Sequence, residues 1–163
     1  MLRLSMRINV KRNRFLSMNK QSSLIPVPSP LPPNLNILAV DDDEDNRFLL
    51  IHFLELLGCQ PLSAQSGKET VKLATQTRLD LILLDLVLPG IDGFETLQKL
   101  KQDARSRHIP VVAVTGLVLA EDRQQIREVG FDGYLSKPYL LKDLEQVLHH
   151  HLPQVSVSAS YSV

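Results

Sequence analysis

Five short apolar runs alternate along the chain with five longer segments whose apolar residues recur at helical spacing. The runs are Asn36–Asp41 (NILAVD), Gln60–Ala64 (QPLSA), Asp80–Asp85 (DLILLD), Pro110–Thr115 (PVVAVT) and Gly133–Ser136 (GYLS). Each is too short for a helix, and the first, third and fourth have the unbroken apolar character of strands covered on both faces. The second carries Pro61, which cannot donate to a ladder, so this strand is predicted at an edge. Between the runs, helices are predicted over Asn46–Leu57, Gly67–Gln76, Phe94–Lys101, Glu121–Val129 and Leu140–His151. Ser66 followed by Glu69 reads as a capping box, and Gly58 and Gly130 stand where the first and fourth helices should stop.

Repeated βα units of this length imply a parallel sheet with right-handed crossovers and helices on both sides. The expected architecture is α/β, a doubly wound five-stranded sheet of flavodoxin-like order 2-1-3-4-5. It is expected to occupy residues 36–152. Before it, Ser22–Asn36 contains five prolines, which favour an extended, stiff linker. Residues 1–35 read as a basic, Pro-rich disordered tail and linker or a mis-assigned start, with Met6 or Met18 as alternative first residues. A transit peptide is the less favoured reading. Residues 153–163 read as a frayed C-terminal tail. With no further domain expected after residue 152, the output would be a contact with partners or a phosphate relay.

Composition narrows the class. A single cysteine, Cys59, excludes a disulfide framework and cysteine-rich zinc modules. The densest apolar stretch, Phe48–Leu57, is broken by His52 and Glu55, so no membrane span is expected, and the protein is read as cytoplasmic. The formal net charge of zero hides an asymmetry: residues 1–35 hold six basic residues and no acidic one, leaving 12 basic and 18 acidic residues in the remainder. The folded part is therefore not expected to bind nucleic acid.

In a sheet of this order, ligands bind beyond the carboxyl ends of the strands where the order reverses. The first strand ends at Asp41 and runs into Asp42, Asp43, Glu44 and Asp45; the third ends at Asp85; the fourth at Thr115-Gly116; the fifth at Ser136-Lys137-Pro138. Acidic runs are ordinarily solvated helix starts, and Glu44 and Asp45 fit that role. Asp41, Asp42 and Asp85, however, converge from two strand ends flanking the reversal. Carboxylates packed this closely need a compensating cation or proton, and hard oxygens without His or Cys suit Mg²⁺. A hydroxyl from Thr115 and an ammonium from Lys137 approach the same point.

These residues resemble the receiver domain of two-component response regulators, a resemblance covering about residues 36–152. It rests on Ile37-Leu-Ala-Val-Asp41-Asp42, Leu83-Leu-Asp85-Leu-Val-Leu-Pro89-Gly-Ile-Asp-Gly93, Ala113-Val-Thr115-Gly116 and Tyr134-Leu-Ser-Lys137-Pro138. The resemblance implies that Asp85 accepts a phosphoryl group from a phosphohistidine on a sensor histidine kinase or histidine phosphotransfer protein. It implies Mg²⁺ bound by Asp42, Asp85 and the backbone carbonyl of Val87, with Asp41 helping through water. Thr115 and Lys137 would stabilise the phosphoryl group, Tyr134 would be the aromatic switch, and the peptide before Pro138 would be cis. The Asp41-Asp42-Asp43 triplet leaves a one-residue ambiguity, and Asp42 is chosen as direct ligand because it best continues the strand. Val87 and Leu117 are expected to flank the crevice. Output is expected through the fourth helix, fifth strand and fifth helix, by partner binding or self-association.

Competing chemistries fail on particular residues. A haloacid-dehalogenase-type phosphatase needs a second Asp where Val87 stands, and a P-loop needs a glycine where Leu62 stands. No enzymatic activity beyond the domain's own phosphorylation and dephosphorylation is expected. His149-His150-His151 reads as a solvated helix end, since adjacent helical residues do not share a face. The remaining alternative is a binding module: a receiver-like domain whose contacts are independent of phosphorylation, or a basic tail acting on nucleic acid.

Overall fold

A computed structural model describes residues 31–116 and 120–152, with the side chains of 120–122 outside the described set. The strands are β1 (Asn36–Val40), β2 (Gln60–Ala64), β3 (Leu81–Asp85), β4 (Val111–Thr115) and β5 (Gly133–Ser136), and the helices α1 (Glu44–Leu56), α2 (Gly67–Gln76), α3 (Gly93–Gln102), α4 (Ala120–Val129) and α5 (Leu141–His151). All pairings are parallel and the order is β2-β1-β3-β4-β5. The proline-bearing strand lies at the edge, as its missing donor requires.

Successive strand residues feed opposite faces of the sheet. Leu38, Val40, Ile82, Leu84, Val111 and Ala113 join one buried cluster with Ala74 of α2, Leu97 and Leu100 of α3 and Ile126 of α4. Ile37, Ala39, Leu81, Leu83, Val112, Val114 and Leu135 join the other with Leu50 and Leu54 of α1 and Leu144 and Leu148 of α5. The period-two alternation therefore assigns α2, α3 and α4 to one side of the sheet and α1 and α5 to the other.

Packing begins upstream of β1. Leu35 is buried and its carbonyl accepts the Gln60 N–H, while Leu31 rests on the cluster beneath α1 and α5. Both lie within the span read as linker. Apolar side chains among the prolines are what anchor them there. The calls on residues 1–30, on Leu117 and on 153–163 lie outside the described residues.

Two local details differ from expectation. Ser66 caps α2 by accepting the Glu69 N–H, but Glu69 returns its bond to the N–H of Gln65, one residue before the cap. The reciprocal pair is thus displaced by one residue from the predicted box. Helix α1 begins at Glu44, two residues earlier than predicted, because Asp43 supplies the cap by accepting the Asn46 N–H at 2.9 Å. Gly58 and Gly130 have φ of +78° and +106°, left-handed conformations that end helices and favour glycine.

Candidate functional site

The carboxyl ends of β1 and β3 bring Asp41, Asp42 and Asp85 together, with one oxygen from each lying within 4.8 Å of the others. Asp41 and Asp85 are buried and Asp42 is exposed. Asp43 is engaged elsewhere, its side chain capping α1 and its N–H donating to Asp41 Oδ1. The geometry thus gives the second member of the triplet to the cluster and the third to the helix.

Arg47, in the early part of α1, fixes this loop from beneath. Its Nη1 donates to the carbonyl of Asp41 at 2.8 Å and reaches those of Asp42 and Asp43 at 3.4 and 3.5 Å. A buried guanidinium satisfied by backbone oxygens holds several loop carbonyls in register while leaving the carboxylates to face the crevice. Arg47 was absent from the predicted site. Its signal was the lone cation in the run Asp41–Asp45, Asn46, Arg47.

Lys137 crosses from the end of β5. Its Nζ lies 2.7 Å from Asp41 Oδ2 and 2.5 Å from Asp85 Oδ2, and its backbone N–H donates to the Thr115 carbonyl. The Lys137–Pro138 peptide is cis, as expected. The second oxygen of Asp85 accepts the Val87 N–H at 2.9 Å. The Val87 side chain is itself strongly exposed beside the crevice.

Burial pushes the Asp85 carboxyl above the usual carboxylate range. The Lys137 bond, the Val87 N–H and the Lys137 charge oppose this only in part, and the Asp41 charge reinforces it. For Lys137, burial works to lower the ammonium, but the bonds to Asp41 and Asp85 and their charges hold it above its ordinary value. Tyr139, edge-on to Phe53 of α1, is pushed up to about 12, mainly by burial. It is buried in the cluster beneath α1 and α5, within electrostatic reach of Lys137, Asp41 and Asp85, and the sequence motif did not single it out.

Thr115 is buried at the end of β4, one residue beyond the position that faces Asp85. Tyr134 is half-buried on β5, packed against the cluster shared with α4, and the Arg123 guanidinium sits 5.2 Å from its ring centroid. This is cation–π distance. The three histidines lie apart from Asp41, Asp42 and Asp85. His151 lies over Gly133, His150 stacks edge-on to His151, and His149 lies 3.9 Å from Glu145.

A family model described as the response regulator receiver domain matches residues 37–149. The chain belongs to this family. Among curated relatives, the polar-differentiation response regulator DivK of Brucella anthropi is 39% identical over 103 residues, covering 63% of this chain and 84% of the relative. The chemotaxis protein CheY4 of Vibrio cholerae is similar in structure, with a TM-score of 0.69 and 28% identity, covering 73% of this chain and 99% of that one. The receiver domain of a sensor histidine kinase of Pseudomonas aeruginosa gives 0.68 and 29%, covering 72% and 97%, and is described with a magnesium ion coordinated in its active-site cleft. The present receiver domain has the doubly wound order predicted for it, with the acidic cluster at the strand ends. Its role is that of a phosphoacceptor in two-component signalling. No helix among the described residues is long and apolar enough to cross a membrane.

Proposed function

We propose that Asp85 is the phosphoacceptor, taking its phosphoryl group from a phosphohistidine of a sensor histidine kinase or phosphotransfer protein in the cytoplasm. The supporting observation is the convergence of three carboxylates with Lys137 at the reversal of strand order. An Asp85 oxygen attacks phosphorus, the P–O bond forms, the P–N bond breaks, and the imidazole nitrogen keeps the electron pair. Lys137 supplies fixed positive charge beside the attacking carboxylate, and the Thr115 hydroxyl donates to a phosphoryl oxygen. The group remains on Asp85 until it is hydrolysed or passed on to a partner, so no separate substrate is turned over.

Three carboxylates against one ammonium leave an excess of negative charge, and the donor set is entirely hard oxygen, which fits Mg²⁺. Asp42, Asp85 and the Val87 carbonyl would hold the ion directly, with Asp41 acting through water. When bound, Mg²⁺ offsets charge on the phosphoryl oxygens and the nucleophile. Labelling by acetyl phosphate is expected to require Mg²⁺ and to stop with excess chelator. Asp42→Ala should weaken Mg²⁺ affinity by about tenfold or more, whereas Asp43→Ala should act mainly on α1 stability, by about 1 kcal/mol, through its lost cap. Metal titration and thermal melting separate the two. A larger loss of affinity from Asp43→Ala would move the ligand by one residue, labelling that ignores chelator would remove the Mg²⁺ requirement, and no labelling at all would favour the phosphorylation-independent binding module.

Output is read at α4, β5 and α5. Between these elements lies a groove of about 720 Å³ whose lining includes Arg123, Arg127, Tyr134, Asp143, His150 and His151. Movement of Thr115 toward the phosphoryl group would vacate space for Tyr134, releasing it from Arg123 and altering this groove for a partner or a second copy. Hydrogen exchange with and without a phosphoryl mimic should change over 123–151. Changes confined to α1, α2 and α3 would contradict that output face.

A further inference from the structure

Helix α1 carries an apolar stripe that the other described residues leave uncovered. Phe48 and Leu56 are 70% and 60% exposed, Leu49 lies beside them, and His52 stacks on Phe48 between the two ends of the stripe. The exposed charges on this helix are the acids Glu44, Asp45 and Glu55, because Arg47 is buried against backbone carbonyls. The described chain starts at Leu31, which packs on the same cluster as Ile51 and Phe53 of α1 and Leu57, its C-cap. Thirty residues precede it. They contain Arg3, Arg7, Lys11, Arg12, Arg14 and Lys20, no acid, and an alternation of Leu2, Leu4, Met6, Ile8 and Val10 with polar or basic residues.

We propose that the stripe on α1 is the docking site for residues 2–14 of this same chain. If extended, residues 2–11 would put Leu2, Leu4, Met6, Ile8 and Val10 on one edge and Arg3, Arg7 and Lys11 on the other, with Arg12 and Arg14 adding charge beyond the apolar edge, the complement of a helix that exposes apolar residues and acids. Reach permits it. Residues 21–30, with three prolines, span about 30 Å if extended as polyproline helix, while the 13 residues of α1 span about 20 Å. Tethering supplies a local concentration on the order of millimolar, enough for a contact too weak to hold as a free peptide. Docking would cover the helix whose first turn borders the acidic crevice, independently of whether Asp85 is phosphorylated.

Carbodiimide cross-linking of the full chain tests this, with a mixture of isotopically light and heavy protein to distinguish copies. Links from Lys11 to Glu44, Asp45 or Glu55 within one copy are expected. Hydrogen exchange over residues 44–57 should be about threefold faster in the full chain carrying Arg7→Glu, Lys11→Glu, Arg12→Glu and Arg14→Glu, and in Phe48→Ser/Leu56→Ser, with α2 unchanged as the folding control. The charge-reversed variant decides the matter if the helix variant loses α2 protection, since it leaves every described residue unchanged. Links only between light and heavy copies would assign the stripe to a second molecule. Unchanged exchange with no links would overturn the proposal.

Discussion

Asp85→Asn is expected to lose phosphate uptake from acetyl phosphate by about a hundredfold or more and to melt a few degrees above the parent at neutral pH. The first effect follows from removing the nucleophile while preserving shape. The second follows from electrostatics: burial, outweighing the Lys137 bond, raises the carboxyl above its ordinary value, so the ionised form is less favourable folded than unfolded. With the folded value raised, this destabilisation is absent in acid, below the unfolded value, where both states are protonated. It sets in as pH rises through the interval between the two values and is complete above the folded one. The thermal gain from Asn should therefore be greatest near neutrality and vanish in acid. Labelling with acetyl phosphate and melting across pH check both parts. Equal labelling would remove Asp85 as acceptor, and a lowered neutral melting temperature would mean that its pairing with Lys137 outweighs its burial.

Gly93→Ala is expected to be among the most damaging single-methyl changes in the fold and to slow phosphorylation without touching a reacting group. A Cβ at Gly93 would meet the Asp85 carbonyl oxygen at 2.6 Å and the Leu86 Cα at 2.7 Å. Both neighbours are backbone, so β3 or α3 must shift, and Gly93 also donates its N–H to the Leu86 carbonyl. Overpacking of this kind costs about 1–3 kcal/mol, and the displaced backbone carries Asp85. Gly116→Ala, where a Cβ meets nothing within 4 Å, serves as the comparison for the fold. Thermal denaturation and the rate of acetyl phosphate labelling read the two consequences. A melting temperature for Gly93→Ala equal to that of Gly116→Ala would show that the close approach is relieved without cost.

The strands were readable because each solves one problem in one way: LILLD and VVAVT have no polar residue before their last, and only a strand covered on both faces has use for such a run. The position of the carboxylates followed from the topology, since residues at strand ends near the order reversal must meet. Less was readable where a side chain had to choose between nearby roles. Asp42 and Asp43 are chemically identical, and only the backbone direction at the start of α1 sends one to the crevice and the other to the helix cap. Tyr139 was missed because its partner is a ring brought close by folding, which no local spacing announces, and Arg47 because its bonds go to backbone carbonyls four to six residues upstream and not to the acidic side chains that drew attention. Leu31 and Leu35 were concealed by the prolines around them, whose effect on backbone conformation masked two residues with apolar surface to bury.

The sheet divides the labour of the molecule. Asp85 has the parity of Leu81 and Leu83, whose side chains enter the layer of α1 and α5, whereas Thr115 has that of Val111 and Ala113, which enter the layer of α4. Tyr134 stands with Thr115, and Arg123 meets it from α4. A change beginning at the acid must therefore pass through the plane of the strands to be felt at the tyrosine. The exposed face of α4 can be redrawn without entering the layer that holds the acid, whereas α5 lines the groove from within that layer and ties the two together.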